Sequence, residues 1–314
     1  MEIQELLKYF SSHPKLPELL SEIENKDNKG LHVKGLSGSA SAFIISALFR
    51  QSNKNFICLL NDKEEAAYAH NDFCSILNNE EDSLFFPSSY KRQIHHESLD
   101  TTSIVLRTEV LNKLSSTKKN RIIVSYPGAI TEKVLSREKL EENTLQLKVG
   151  EEIGIEFITE VLNDYHFERS DFVFEPGQFS VRGSIVDIFS FSSDVPFRID
   201  FFGDEVETIR SFDIESQLSL DHFKKISIVP NIQDERISKN QYSFFDFIPD
   251  DTVIITNDLP FFKDRIDRLV IEAKHKYEED ETEEKGIEPS GFLLTGKEIL
   301  KKLEDFFVLE IGLH

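Results

Sequence analysis

Residues 35–42 read Gly35-Leu36-Ser37-Gly38-Ser39-Ala40-Ser41-Ala42. The spacing is that of a phosphate-binding loop, G-x-x-x-x-G-K-[ST], in which the lysine meets the β/γ-phosphates and the hydroxyl holds magnesium. Gly35 and Gly38 supply turn residues here, but Ala40 stands at the second glycine, Ser41 at the lysine and Ala42 at the hydroxyl. The reading is a non-functional nucleotide loop. The strand–loop–helix frame is expected to remain, without the point charge and the metal ligand. The expected fold is an α/β body around this degenerate loop, kept to display a binding surface.

Outward from the loop the chain alternates strand and helix. Residues 31–33 enter it as a strand and 42–50 leave it as a buried helix. The short apolar runs 56–60, 84–86 and 121–125 suit strands covered on both faces. Asp62, with Glu65 three residues on, opens a helix to about Leu77. Residues 104–114 have helical spacing, as do Ile3, Leu6, Leu7 and Phe10 near the start. This alternation implies a parallel sheet with crossover helices.

The pattern changes near Pro127-Gly128. A helix over about 155–162 precedes two-periodic runs at 171–174, 179–181, 185–189, 197–202 and 205–212. Turn signals part them at Pro176-Gly177, Gly183-Ser184, Ser192-Ser193 and Gly203-Asp204. This is an antiparallel α+β domain inserted into the parallel-sheet body. The expected division is 1–127 and 214–314 for the two parts of the body and 128–213 for the insertion. After Gln217, strands at 227–229 and 252–256 and a helix at 262–276 resume the α/β pattern. The apolar strand-like segment that ends the sequence, 308–314, gives the expectation of a longer parent chain.

Composition narrows the function classes. The formal net charge is −21. Nonspecific binding to nucleic acid rests on Lys and Arg neutralising phosphates, so strong duplex binding through the overall field is not expected. Cys58 and Cys74 have no metal-ligand spacing. No apolar run approaches the ~18 residues of a membrane span, and a cytoplasmic setting is expected. His95-His96-Glu97 invites a metal, but adjacent side chains diverge and no third ligand follows at i+4, so a polar loop is expected and no metal site. Ser125, Ser180 and Ser184 lack a nucleophile elbow, no acid/base pair stands out, and no catalytic residue is assigned. The run from Glu278 to Glu284 holds six carboxylates in seven residues. A solvated loop is the simpler reading, and a dock for a basic partner the alternative.

The inserted segment alternates Arg with Phe: Arg169, Phe172, Phe174, Phe179, Arg182, Phe189, Arg198 and Phe202. These are the residue types that anchor protein interfaces. Structural roles compete for each, since such a Phe also suits the core and a strand Arg also suits an ion pair with Asp187, Asp200 or Asp204. In so acidic a chain, these basic residues could present a cationic and aromatic patch to a partner.

The runs Phe167-Glu168-Arg169-Ser170-Asp171-Phe172-Val173, Pro176-Gly177-Gln178-Phe179-Ser180-Val181-Arg182-Gly183, Ile185-Val186-Asp187-Ile188-Phe189 and Pro196-Phe197-Arg198-Ile199-Asp200-Phe201-Phe202-Gly203-Asp204-Glu205 carry a specific resemblance. With Ile209-Arg210 they resemble the second domain of UvrB, and more closely the matching domain of the Mfd family of bacterial transcription-repair coupling factors. The resemblance covers about 30–220 well and the rest loosely. It implies a first, UvrB-domain-1-like body split by a second domain that docks on UvrA. Arg169 falls at the arginine of the family's YERND run and Arg182 at the second arginine of FRVRG, both on the UvrA-facing surface. Ser180 replaces the first arginine of FRVRG, Phe189 takes the aromatic position of DIF, and His166 stands where the family usually has glycine. UvrB's aromatic DNA-gripping hairpin is not expected, because 87–103 holds one aromatic residue, Tyr90.

The implied function is non-catalytic: recruitment of UvrA, linking stalled RNA polymerase to nucleotide excision repair. RNA polymerase, DNA, ATP and magnesium would be engaged only by further domains of the family's longer chains. The alternatives are a nucleotide-dependent UvrB-like helicase relative, and an autoinhibitory domain packing on a translocase. The expected UvrA contacts are Arg169, Arg182, Phe179, Phe189 and Arg198. Arg169 and Arg182 should be exposed, with a ring such as Phe179 or Phe189 beside them. The competing expectation pairs Arg182 internally with Asp187 or Asp200.

Overall fold

A computed structural model describes residues 2–25, 27–36, 38–91, 98–232, 241–279 and 288–312. His95-His96-Glu97, Ser37 and positions 280–284 of the acidic run lie outside the described residues. The chain packs as two compact units, one made of Met1–Ser88, Thr117–Val134 and Gln241–His314, the other of Ser89–Ser116 and Leu135–Asn240.

The first unit is built on a six-stranded parallel sheet. Its order is Gly30–Lys34, Phe307–Gly312, Val253–Thr256, Phe56–Leu59, Ile122–Ser125 and Ser83–Phe85. Every residue of Phe56–Leu59, Ile122–Ser125 and Val253–Thr256 is buried, as apolar runs covered on both faces require. Gly30–Lys34 lies at an edge and alternates exposed with half-buried. Asp62 caps the helix Lys63–Leu77, accepting from the Glu65 N–H at 2.8 Å. Cys58 is buried, which pushes its thiol pKa up. Among the described residues no helix is long and apolar enough to cross a membrane.

The second unit holds a six-stranded sheet ordered Ser219–Phe223, Glu205–Phe212, Phe197–Phe202, Ile185–Ile188, Gln178–Arg182 and Glu168–Arg169. All pairings are antiparallel except Glu168–Arg169 against Gln178–Arg182, which is parallel. Hairpin turns with Gly183 at φ 61° and Gly203 at φ 64° join four of the strands in two pairs, and that left-handed backbone suits a residue without Cβ. One face forms the core: Phe179, Val186, Ile188, Phe197, Ile199, Phe201, Val206 and Ile209 pack with Ile158 and Leu162 of the helix Ile155–Asp164. Ile104 and Val105 of the helix Thr101–Ser116 join the same core.

Two features differ from the sequence expectation. Residues 171–174 do not form a strand. Neighbouring side chains take their backbone groups instead, as described below. The sheet also runs on past 213, where the inserted segment was expected to end. Ser219–Phe223 pairs with Glu205–Phe212 across an irregular register, with Arg210 opposite His222.

Candidate functional site

Strand alternation puts successive side chains on opposite faces of a sheet. In the second unit the face opposite the core carries a row Ser180–Asp187–Arg198–Arg210–His222 across five strands, with a second row Arg182–Ile185–Asp200–Thr208 beside it. Asp187 is the hub. Its buried carboxylate accepts from Arg198 through both oxygens, Nε–Oδ1 at 2.7 Å and Nη2–Oδ2 at 2.9 Å, and Arg182 Nη2 donates to the same Oδ2. Asp200 accepts from Arg210 and from the Thr208 hydroxyl. Three guanidinium groups thus face two carboxylates, and Nε and Nη2 of Arg198 and both oxygens of Asp187 are already engaged.

Arg198 is mostly covered. Its plane lies 4.3 Å from the centroid of the buried Phe212 ring, and Nη2 also donates to Gln217 at 2.9 Å. Hydrogen bonding to Asp187 raises its pKa further. Arg182 is different: its side chain is 37% exposed, and its guanidinium sits 5.0 Å over the ring of Phe172. Arg169 is exposed one strand further out, opposite Phe179 in register.

The expected aromatic neighbours are corrected here. Phe179 and Phe189 are 0% and 4% exposed. Phe179 is on the core face, and Phe189 is buried just past the end of its strand, so neither ring flanks the arginines at the surface. Of the Phe residues in the Arg/Phe series, Phe172, Phe174 and Phe202 are exposed. The internal pairing of Arg182 with Asp187, the competing expectation, is present alongside its partial exposure.

The segment between Arg169 and Gln178 holds those rings in place. Val173 is buried while Phe172 and Phe174 on either side are half exposed, so the alternation of the sequence survives in a loop. Ser180 Oγ donates to the Asp171 carbonyl at 2.9 Å and Ser170 Oγ to the Phe172 carbonyl at 2.6 Å. Gln178 Oε1 accepts from the N–H groups of Phe174 and Glu175 at 2.9 and 3.2 Å. These bonds do for the loop what ladder bonds do for a strand. Gly177 closes it at φ 90°, where a Cβ would meet the Phe191 ring at 2.9 Å. His166 opens it in the left-handed region, φ 61°.

The other candidate is the 35–42 loop in the first unit. It joins the strand Gly30–Lys34 to the helix Ala40–Gln51, with Gly35 at φ 86° and Gly38 at φ 56°. Ligands of open α/β sheets bind outside the carboxyl ends of the strands. There this unit places carboxylates that bind its own backbone and side chains. Glu65 accepts from Asn257 at 3.0 Å and from the Asn61 N–H at 3.0 Å, and Glu310 accepts from the Leu259 N–H at 3.3 Å. Ser41 is half-buried and Ala42 buried in the helix that follows. Among the described residues no group of three or more His, Cys, Asp or Glu is placed to hold a metal ion.

Comparison with known proteins bears on the second unit. Residues 145–233 match the UvrB interaction domain family. The chain is 31% identical over 199 residues to the transcription-repair-coupling factor of Bacillus subtilis, a stretch covering 62% of this chain and 16% of that protein. It is 31% identical over 202 residues to that of Staphylococcus aureus (strain bovine RF122), again 62% and 16%, and 27% identical over 211 residues to that of Haemophilus influenzae, 67% and 16%. The matched stretch is therefore about a sixth of the length of these relatives. Residues 145–233 are thus similar to a UvrB interaction domain, and the chain is related to the transcription-repair-coupling factors.

Proposed function

We infer that this relative of the transcription-repair-coupling factors is a non-catalytic docking module that recruits UvrA and so links stalled RNA polymerase to nucleotide excision repair. The observation that carries the reading is a coincidence of two boundaries. The matched residues 145–233 contain the whole antiparallel sheet, and near one edge of that sheet Arg182 stands partly exposed on the face away from the core while Arg169 is exposed on the edge strand, in register with core-facing Phe179. Both positions were singled out by the resemblance as UvrA-facing. Arg198, whose Nε and Nη2 are engaged by Asp187 and Gln217, would serve the surface by holding Asp187.

In the same reading the 35–42 loop is a degenerate phosphate-binding loop in a UvrB-domain-1-like body. Ser41 and Ala42 leave no cation and no metal ligand, and Glu65 and Glu310 near the strand ends would repel a phosphate chain. Nucleotide, RNA polymerase and DNA would be handled by parts of the relatives' longer chains, in the cytoplasm.

Gel filtration of the chain mixed with UvrA tests this. The expected result is co-elution that excess UvrB reverses, because both would occupy the same surface of UvrA. Separate elution at tens of micromolar would contradict the reading, and a complex indifferent to UvrB would move the contact elsewhere.

A further inference from the structure

We propose that Phe172 and Phe174, together with the uncompensated edge of Arg182, form the anchoring element of the docking surface, and that they receive an apolar side chain of UvrA flanked by a carboxylate. The proposal rests on the docking reading above and specifies its chemistry.

Large exposed aromatic side chains need a reason when the backbone that carries them is held rigidly. Phe172 is 49% and Phe174 57% exposed, with ring centroids 6.4 Å apart. Their loop is fastened by the bonds from Ser170 and Ser180 and to Gln178, and pinned from below by the buried Val173. Rings held this way lose little entropy on binding, which is the property of interface anchors. Ser180 makes the arrangement possible: it is 1% exposed, and its short side chain lies under the loop with its hydroxyl on the Asp171 carbonyl. A long side chain at that position would need the space the loop occupies.

Charge specifies the second half of the partner. Asp187 gives both oxygens to Arg198, so its bond from Arg182 Nη2 is a shared one. Among the described residues no acceptor meets Nε or Nη1 of Arg182. The guanidinium plane is packed on Phe172 at 5.0 Å, which fixes the direction in which those N–H groups point. In a chain of net charge −21, a cation held against an exposed ring is complementary to a carboxylate beside an apolar group.

The test is the affinity of the whole chain for UvrA, by calorimetry, with melting curves on every variant. Phe172→Ala and Phe174→Ala should each weaken binding about tenfold or more, with melting temperature unchanged because both rings are exposed. Arg182→Met keeps the stem and removes the charge, and should also cost about tenfold. The Phe172→Ala/Arg182→Met double variant should lose less than the product of the two, because the pair acts as one contact. If the unaltered chain binds UvrA and the two Phe variants bind equally well, this inference is overturned while the docking reading stands. Full binding by Arg182→Met would overturn the carboxylate. If the unaltered chain does not bind, the docking reading itself fails, and the anchor with it.

Discussion

At Asp187 one carboxylate serves two guanidiniums, and the two do not matter equally for folding. Arg198 holds it bidentately and is mostly covered, so Arg198→Ala leaves a buried carboxylate with a single bond, from the partly exposed Arg182. Breaking such a pair costs about 3 kcal/mol. Arg182→Ala leaves the bidentate pair in place and removes a partly exposed partner, a loss of about 1 kcal/mol or less. Chemical denaturation should rank the variants in that order, and equal losses would show that Arg182 is a core support. Phe179→Ala empties a fully buried site and should cost about 3–5 kcal/mol. Any loss of UvrA binding in that variant would therefore track unfolding. The resemblance singled out Arg182, and the structure leaves its side chain 37% exposed. The sequence could not separate Phe179 from Phe172, since both alternate with polar residues and periodicity does not say which face is the core.

Among elements, the short apolar strands were legible because they are buried on both faces, and the helix Lys63–Leu77 because Asp62 caps it. The alternation at 171–174 was also real, but Gln178, Ser170 and Ser180 supply the hydrogen bonds that a partner strand would have given. Ser219–Phe223 was missed because it is an edge strand with exposed, mostly polar residues and no apolar alternation to read. The helix Gly296–Leu303 was missed although its signal was present: Thr295 and Glu298 form a capping box. That helix meets Leu259–Glu279 closely at Gly296, whose N–H donates to Asp267 Oδ1 at 2.9 Å. A Cβ there would lie 2.9 Å from the Lys263 carbonyl oxygen and 2.8 Å from Asp267 Oδ1. Gly296→Ala should destabilise the first unit by about 1–3 kcal/mol, seen as a lowered calorimetric transition. An unchanged transition would mean the helices separate freely. Hydrogen bonding from Lys263 and from the Gly296 N–H outweighs burial and lowers the Asp267 pKa. A depressed folded pKa gives stability that is present above the unfolded value, about 3.9, and lost as pH falls through the folded one. The stability gap between the unaltered chain and Asp267→Asn should therefore close below about pH 4. A gap that stays constant with pH would remove the charge from this contact.

For the molecule as a whole, a parallel sheet with a phosphate-loop spacing and an antiparallel sheet with an arginine face divide the possible functions between them. The first has Ser41 and Ala42 where that spacing calls for a lysine and a hydroxyl, and carries carboxylates near its strand ends, so titration with MgATP should give no saturable heat at millimolar nucleotide. A micromolar dissociation constant would restore a nucleotide-dependent role. The net charge of −21 is screened beyond about 8 Å at physiological salt, so contact with a partner is decided by the local face. That face was legible as a patch of Arg and Phe, while its working geometry came from a loop the sequence presented as a strand. On the docking reading, Arg169 and Arg182 bind UvrA and are not needed for folding. The most direct measurement is UvrA affinity and melting temperature on the same Arg169→Ala/Arg182→Ala protein. The expected result is a loss of about thirtyfold or more in affinity with a melting temperature close to that of the unaltered chain. A folded double variant that binds UvrA with unchanged affinity would contradict it.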